Sequence, residues 1–345
     1  MRAPVLLALL LTPLAHAADV RGAARGWVGP GFDSNAPRDT KSGSEPTQGD
    51  GFLYGLVQLE GAVDFERARV VGAYDIAARK FLLLPSEDTL VQNAQLESTF
   101  ALGRAFAVGL SGRARDRRGA GRDYTDLVGD ALIDFTPDEA VDVRVRFGAH
   151  RFLYWPSFGY SFSGPEGSVS ARYRLNRRHS ASLSGGFNPR RYNALTHEIL
   201  GEPQLVPQVP RTDSVMHASL SYSYRGPFHL SVGYSFFDQA SNSRGESMRR
   251  HRLSSTLGLR LPWELMLFAS LAVQLAQYPD DLWVNPDLSV ADDDENSSSA
   301  TLKLSRPLTK HVDLDLRYAV YVNVFPKNEY LYVRHVASVG VAVSF

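Results

Sequence analysis

The stretch LYVRHVASVGVAVSF, Leu331 to Phe345, decides the fold class. Counted by twos from its end, Phe345, Val343, Val341, Val339 and Ala337 are apolar. Between them lie Ser344, Ala342, Gly340, Ser338 and Val336, which are mostly small or polar. A period of two marks a strand whose faces meet different surroundings. The segment before it repeats the pattern. Val312, Leu314, Leu316, Tyr318, Val320, Val322 and Val324 share one face; Asp313, Asp315, Arg317, Ala319, Tyr321 and Asn323 share the other.

The same alternation recurs towards the start of the chain. It is read over 54–65, 67–77, 91–102, 106–115, 126–135, 141–148, 168–175, 179–188, 213–224, 228–238, 247–261 and 298–306. Residues 264–277, ELMLFASLAVQLAQ, carry helix-forming Leu, Ala and Met. Period two also fits them, and they follow the short turn Leu261-Pro262-Trp263, so a strand is expected. These segments run to roughly 9–14 residues, the length a tilted strand needs to cross a bilayer. One face is Val, Leu, Phe and Tyr; the other is Ser, Gly, Asp, Arg and Gln. A charged face suits a wet interior and an apolar face suits lipid.

Connections alternate in length. Gly103-Arg104, Thr136–Ala140, Asn176–Arg178, Arg225–Pro227, Leu261–Trp263 and Pro307–Lys310 are short. Longer loops are expected at 116–123, 152–166, 189–212, 239–246, 278–297 and 325–330. Short inner turns and long outer loops are the rhythm of a membrane barrel. The last strand then runs inward, and counting back leaves the strand at 54–65 running inward too. An even count needs one more strand before it, at 18–32. The expectation is an all-β, transmembrane, antiparallel up-and-down barrel of about sixteen strands, within fourteen to eighteen.

Residues 1–17 read as a secretory signal to be removed: Arg2, the apolar VLLALLLTPL, and the small-x-small site Ala15-His16-Ala17. Residues 18–345 form the barrel. The chain has no cysteine, which excludes a disulfide scaffold and thiolate metal sites. Its 37 basic and 37 acidic residues balance, so no global field draws nucleic acid.

The whole mature chain resembles a bacterial outer-membrane β-barrel of the porin-like kind. The resemblance rests on the leader, the alternating segments, the turn rhythm and the aromatic end. It implies an outer membrane of a Gram-negative bacterium, with outer-membrane lipid and lipopolysaccharide as surroundings. It also implies that the barrel assembly machinery reads Phe345, Val343 and Val341. GWVGPGFDSNAPRD, Gly26 to Asp39, is similar to the G-x-x-Y-D-S-N start of barrels in polysaccharide-export and surface-lipoprotein assembly modifier proteins, with Phe32 in place of Tyr. That similarity implies periplasmic export components as partners.

Charged residues at inward positions are the candidate pore lining: Glu60, Asp64, Glu97, Arg113, Arg115, Asp126, Asp130, Asp134, Asp142, Arg144, Arg146, Arg172, Arg174, Asp313, Asp315 and Arg317. They set up either a field across a pore or a bracing network of cross-strand pairs. Aromatics at 152–166 (Tyr154, Trp155, Phe158, Tyr160, Phe162) read as an interfacial girdle with Tyr222, Tyr224, Phe236, Phe325 and Tyr330. Stacking on sugar rings is the alternative reading. The acidic loop 278–297 lacks the spacing and glycine of a calcium loop, so it reads as solvated. His197-Glu198-Ile199-Leu200 lacks the second His of a zinc site. No metal or other cofactor is expected. Loop 189–212 is long enough to fold inward as a constriction. The nine His are scattered and no G-x-S-x-G occurs, so no enzyme is expected. The functional expectation is passage of hydrophilic solutes through a polar lumen. The alternatives are polymer export and an outer-membrane lipid hydrolase, the last marked by Ser and His facing outward together.

Overall fold

Alternating segments that each bury one face can satisfy every backbone group only by closing on themselves. In the computed structural model, which describes residues 19–37, 47–196, 209–279, 298–324 and 331–345, they do close. The strands are β1 (Asp19–Asp33), β2 (Asp50–Asp64), β3 (Ala68–Phe81), β4 (Thr89–Ala101), β5 (Phe106–Gly119), β6 (Tyr124–Phe135), β7 (Val141–Tyr154) and β8 (Phe162–Arg174). They continue as β9 (His179–Leu195), β10 (Pro210–Arg225), β11 (Phe228–Ser241), β12 (Met248–Arg260), β13 (Met266–Gln277), β14 (Ser298–Pro307), β15 (Val312–Val324) and β16 (Leu331–Ser344). Each pairs antiparallel with its neighbour in sequence, and β1 pairs with β16.

The register settles which face is which. On β10, Met216, Leu220 and Tyr222 are exposed, whereas Asp213 and Val215 are buried. Arg144 on β7 reaches Glu97 on β4, at 2.9 Å across two intervening strands. Side chains of non-adjacent strands meet only on the concave side, so the charged row faces inward. Leu59, Leu96, Leu110, Ile133, Phe147, Leu183, Leu253, Leu271 and Leu316 face outward and are exposed. An apolar band of this kind is stable against hydrocarbon and costly against water.

The segment 264–277 is β13, with Leu267, Ala269, Leu271, Val273 and Leu275 in its outward row. The first strand, expected at 18–32, is Asp19–Asp33. Four expected loops are shorter than the sequence suggests. β5 runs on to Gly119, β7 to Tyr154, β9 to Leu195 and β11 to Ser241, while β8 starts at Phe162 and β10 at Pro210. In these extensions the outward row turns polar, with Arg151, Ser163 and Arg191, while rings such as Phe152, Phe162 and Tyr192 pack inward, so the strands continue without the lipid-facing alternation that reveals them. Residues 1–17, 197–208 of the expected constriction loop, 280–297 of the acidic loop, and Phe325 and Tyr330 lie outside the described residues.

The closing seam has its own construction. Arg25–Val28 pair with Ser344–Val341, and Gly31–Asp33 pair with Ser338–Val336. The break falls at Pro30, which has no N–H to give. Trp27 lies inside, over Gly340, where any side chain would strike the indole. The ring also packs on Tyr54, with centroids 5.4 Å apart. Backbone bonds between Ala24 and Phe345, at 2.9 and 3.2 Å, hold the short-turn end.

Candidate functional site

The register places every candidate lining residue on the inward row: Glu60 and Asp64 on β2, Glu97 on β4, Arg113 and Arg115 on β5. Asp126, Asp130 and Asp134 are on β6, Asp142, Arg144 and Arg146 on β7, and Arg172 and Arg174 on β8. Asp313, Asp315 and Arg317 are on β15. Several are joined. Arg144 gives Asp134 two bonds, at 2.6 and 2.8 Å, and Glu97 accepts from both Arg144 and Arg146. Arg174 bonds Asp142 at 2.8 Å. Asp64 takes Arg21 and Arg69. Lys303 reaches Asp315 at 2.8 Å. His150 stands between Asp126, at 2.6 Å, and Glu166, at 3.3 Å. Arg113, Arg172 and Arg317 form no side-chain hydrogen bond or ion pair among the described residues.

The sequence hides how the hydroxyls align. Across neighbouring strands, Ser180, Ser223, Ser231, Thr256, Ser270 and Thr301 stand abreast, one per strand from β9 to β14. One row up, Arg172, Ser182, Ser221, Gly233 and Ser254 follow in order. In the next, Ser170, Ser184, Ser219 and Ser235 lie between Arg144 and Arg252. Ser184 and Ser219 hydroxyls are 2.7 Å apart, those of Ser182 and Ser221 3.1 Å. A cavity of about 570 Å³ opens here, lined by Arg144, Arg146, Arg172, His217 and the serines of β8 and β9, together with Asp134 and Asp142, the carboxylates that hold Arg144 and Arg174.

Charge divides the wall. From β1 to β7 carboxylates and guanidiniums alternate and pair. From β8 to β13 the arginines on the inward row are Arg172, Arg174, Arg190, Arg211, Arg225, Arg250, Arg252 and Arg260, against only Glu166 and Asp213 among the described strand residues. Both of those carboxylates are engaged, Glu166 by His150 and Asp213 by Arg211. The β8–β13 wall is therefore rich in hydroxyls and positive.

Towards the long loops the inner wall is packed. Tyr124, Phe152, Phe162 and Tyr192 form a buried cluster with Tyr154 against it. This corrects the girdle reading for Tyr154 and Phe162: strand extension puts them in the inward row. Trp155 stays exposed, donating to Thr125 at 3.2 Å, and Tyr222 and Phe236 face outward. Arginines lie over these inner rings, Arg211 over Tyr192 at 4.0 Å and Arg190 over Phe162 at 4.5 Å.

The Asp33-Ser34-Asn35 triplet forms a clasp across the closing seam. Arg334 donates to Asp33 through Nε, at 2.9 and 3.0 Å, and through Nη2 at 2.5 Å. Asn35 N–H donates to the same carboxylate. His335 N–H donates to the Ser34 hydroxyl, and Ser34 N–H to the His335 carbonyl. Asp33 and Asn35 are fully buried, and Arg334 is 1% exposed. Sequence reading missed Arg334, whose signal was only a cation at an inward position of the last strand.

Val341 and Val343 are outward, and the Phe345 ring is exposed beside His311. The outward His179, His251 and His335 bond the hydroxyls of Tyr222, Tyr234 and Tyr318 at 2.5, 2.7 and 2.7 Å.

A closed barrel with an apolar outside and a polar inside is a transmembrane β-barrel of the outer-membrane type. No protein-family model and no curated protein matches the sequence. The structure is similar to a loop-deletion form of OmpT, an outer membrane protein of Vibrio cholerae, at 9% identity over 95% of this chain and 100% of that one, TM-score 0.49. It is similar to a bacterial polysaccharide outer membrane secretin at 10% identity over 93% and 98%, TM-score 0.46. It is also similar to a mutant of the TodX monoaromatic hydrocarbon channel at 10% identity over 96% and 90%, TM-score 0.45. At such identities the likeness does not extend beyond architecture.

Proposed function

We propose that this chain is an integral barrel of a Gram-negative outer membrane that lets hydrophilic solutes cross through its interior, without bond chemistry. The observation that carries this reading is the continuous hydroxyl wall from β9 to β14, facing a wall of paired charges. Hydroxyls exchange hydrogen bonds with a passing polar solute at small net cost, because water supplies equivalent bonds on either side. Sixteen strands enclose an interior wide enough for such a path. Polymer export with periplasmic partners is a second reading, favoured by the length of the hydroxyl row.

The test is conductance of the purified barrel in planar bilayers, with swelling of liposomes in neutral sugars. Discrete current steps and sugar-driven swelling are the expected results. Silence in both assays at any voltage would overturn the channel.

A further inference from the structure

We propose that the cavity on the β7–β10 wall is a binding site for an anionic saccharide, a chain of carboxylated sugars, with Arg172 as the partner of its carboxylate. The proposal rests on the channel reading and deepens it by naming a solute class.

Three features carry it. First, the cavity is concave and large enough for one or two sugar rings, at about 570 Å³. Second, it contains a cation not committed to the protein. Asp142 lies directly opposite Arg172, yet its oxygens take Arg174 at 2.8 Å and Thr136 at 3.2 Å. Arg144 and Arg146 are held by Asp134 and Glu97. Arg172 thus presents its fork of donors to the lumen, the geometry that suits a carboxylate. Third, the rows leading away from Arg172 carry hydroxyls on successive strands. Ser182 and Ser221, then Ser184 and Ser219, repeat at the strand spacing of about 4.8 Å, comparable with one sugar unit. A compact anion would use the guanidinium and leave these rows idle. An extended polyhydroxylated anion uses both. No Phe, Tyr or Trp lines the cavity among the described residues, so recognition is by charge and hydrogen bonds rather than by stacking on a large ring.

The strands of such a barrel tilt by about 35–45°, so a row perpendicular to them descends obliquely through the lumen. A saccharide lying on it advances along the pore as it moves from strand to strand. Beyond Ser235 the third row ends at Arg252, a second cation downstream of the first.

The experiment adds tetragalacturonate or maltotetraose to single barrels conducting in a planar bilayer. Concentration-dependent current interruptions by tetragalacturonate, at least tenfold weaker for maltotetraose, are expected. Arg172→Gln should weaken that block about tenfold, the scale of one hydrogen bond to a charged group, and Arg172→Lys, which keeps the charge but loses the fork, should fall between that variant and the unaltered barrel. Arg172 is exposed in the lumen, so neither change disturbs packing. Equal block by the two tetramers, or an unaltered block in Arg172→Gln, would overturn the site. If the barrel passes no current, calorimetric titration of the detergent-solubilised protein decides. Heat with tetragalacturonate that Arg172→Gln abolishes supports the site while the channel falls. No heat overturns the site as well. Conductance without block or heat removes the site and leaves the channel.

Discussion

Replacing Arg334 by Met removes the guanidinium from the clasp between the first and last strands. Asp33 would keep the Asn35 N–H, at 3.1 Å, and the distant edge of Arg79, at 3.9 Å. Its side chain is fully buried, so water cannot replace the three lost Arg334 contacts. Breaking one partner of a buried pair costs roughly 3–5 kcal/mol, much of it the penalty of a stranded charge. Asp33→Asn in the Arg334→Met background removes that charge, and the double variant should recover a large part of the loss. The assay is urea-driven unfolding in lipid vesicles followed by tryptophan fluorescence, to which Trp27 beside the same seam contributes. A loss below about 1 kcal/mol for Arg334→Met would place the pair with surface ion pairs and refute the clasp.

Other expectations follow from the same geometry. Gly340→Leu drives a side chain into the Trp27 ring and against the Val28 carbonyl, so the variant should lose the heat-modifiable folded band on gels, and Trp27→Ala in the same chain, which clears the ring but not the backbone, should restore it only in part. Leu271→Arg puts a charge in the outward row at the middle of β13 and should lower unfolding free energy by about 2–4 kcal/mol. Ser270→Arg, one residue away and inward, should cost far less. Arg144→Ala frees Asp134 and leaves Glu97 with Arg146 alone, so the reversal potential in a salt gradient should shift towards cation selectivity.

The fold was legible because lipid enforces a period of two. Val312 to Val324 and Leu331 to Phe345 announce their faces without help from the rest of the chain. Where lipid ends, so does the clue: Asp116 to Gly119 look like loop but remain in β5. Tyr154 and Phe162 were misplaced for the same reason, since an aromatic near a rim has no face until its strand is known to continue. Arg334 was unreadable for a different cause. Its partner Asp33 lies 301 residues away in sequence and meets it only when the barrel closes. Alternating serines were visible on every strand from β8 to β12. That Ser180, Ser223, Ser231 and Thr256 fall abreast depends on register, which turn geometry and the buried inward residues set.

The chain lacks cysteine, so a single introduced thiol reports one position cleanly. Ser219 faces the lumen and Leu220, its neighbour, faces out. A negatively charged, water-soluble thiol reagent should reduce the single-channel current of Ser219→Cys in steps and leave Leu220→Cys unaltered. Reaction at Leu220→Cys with no effect at Ser219→Cys would contradict a wet, conducting interior.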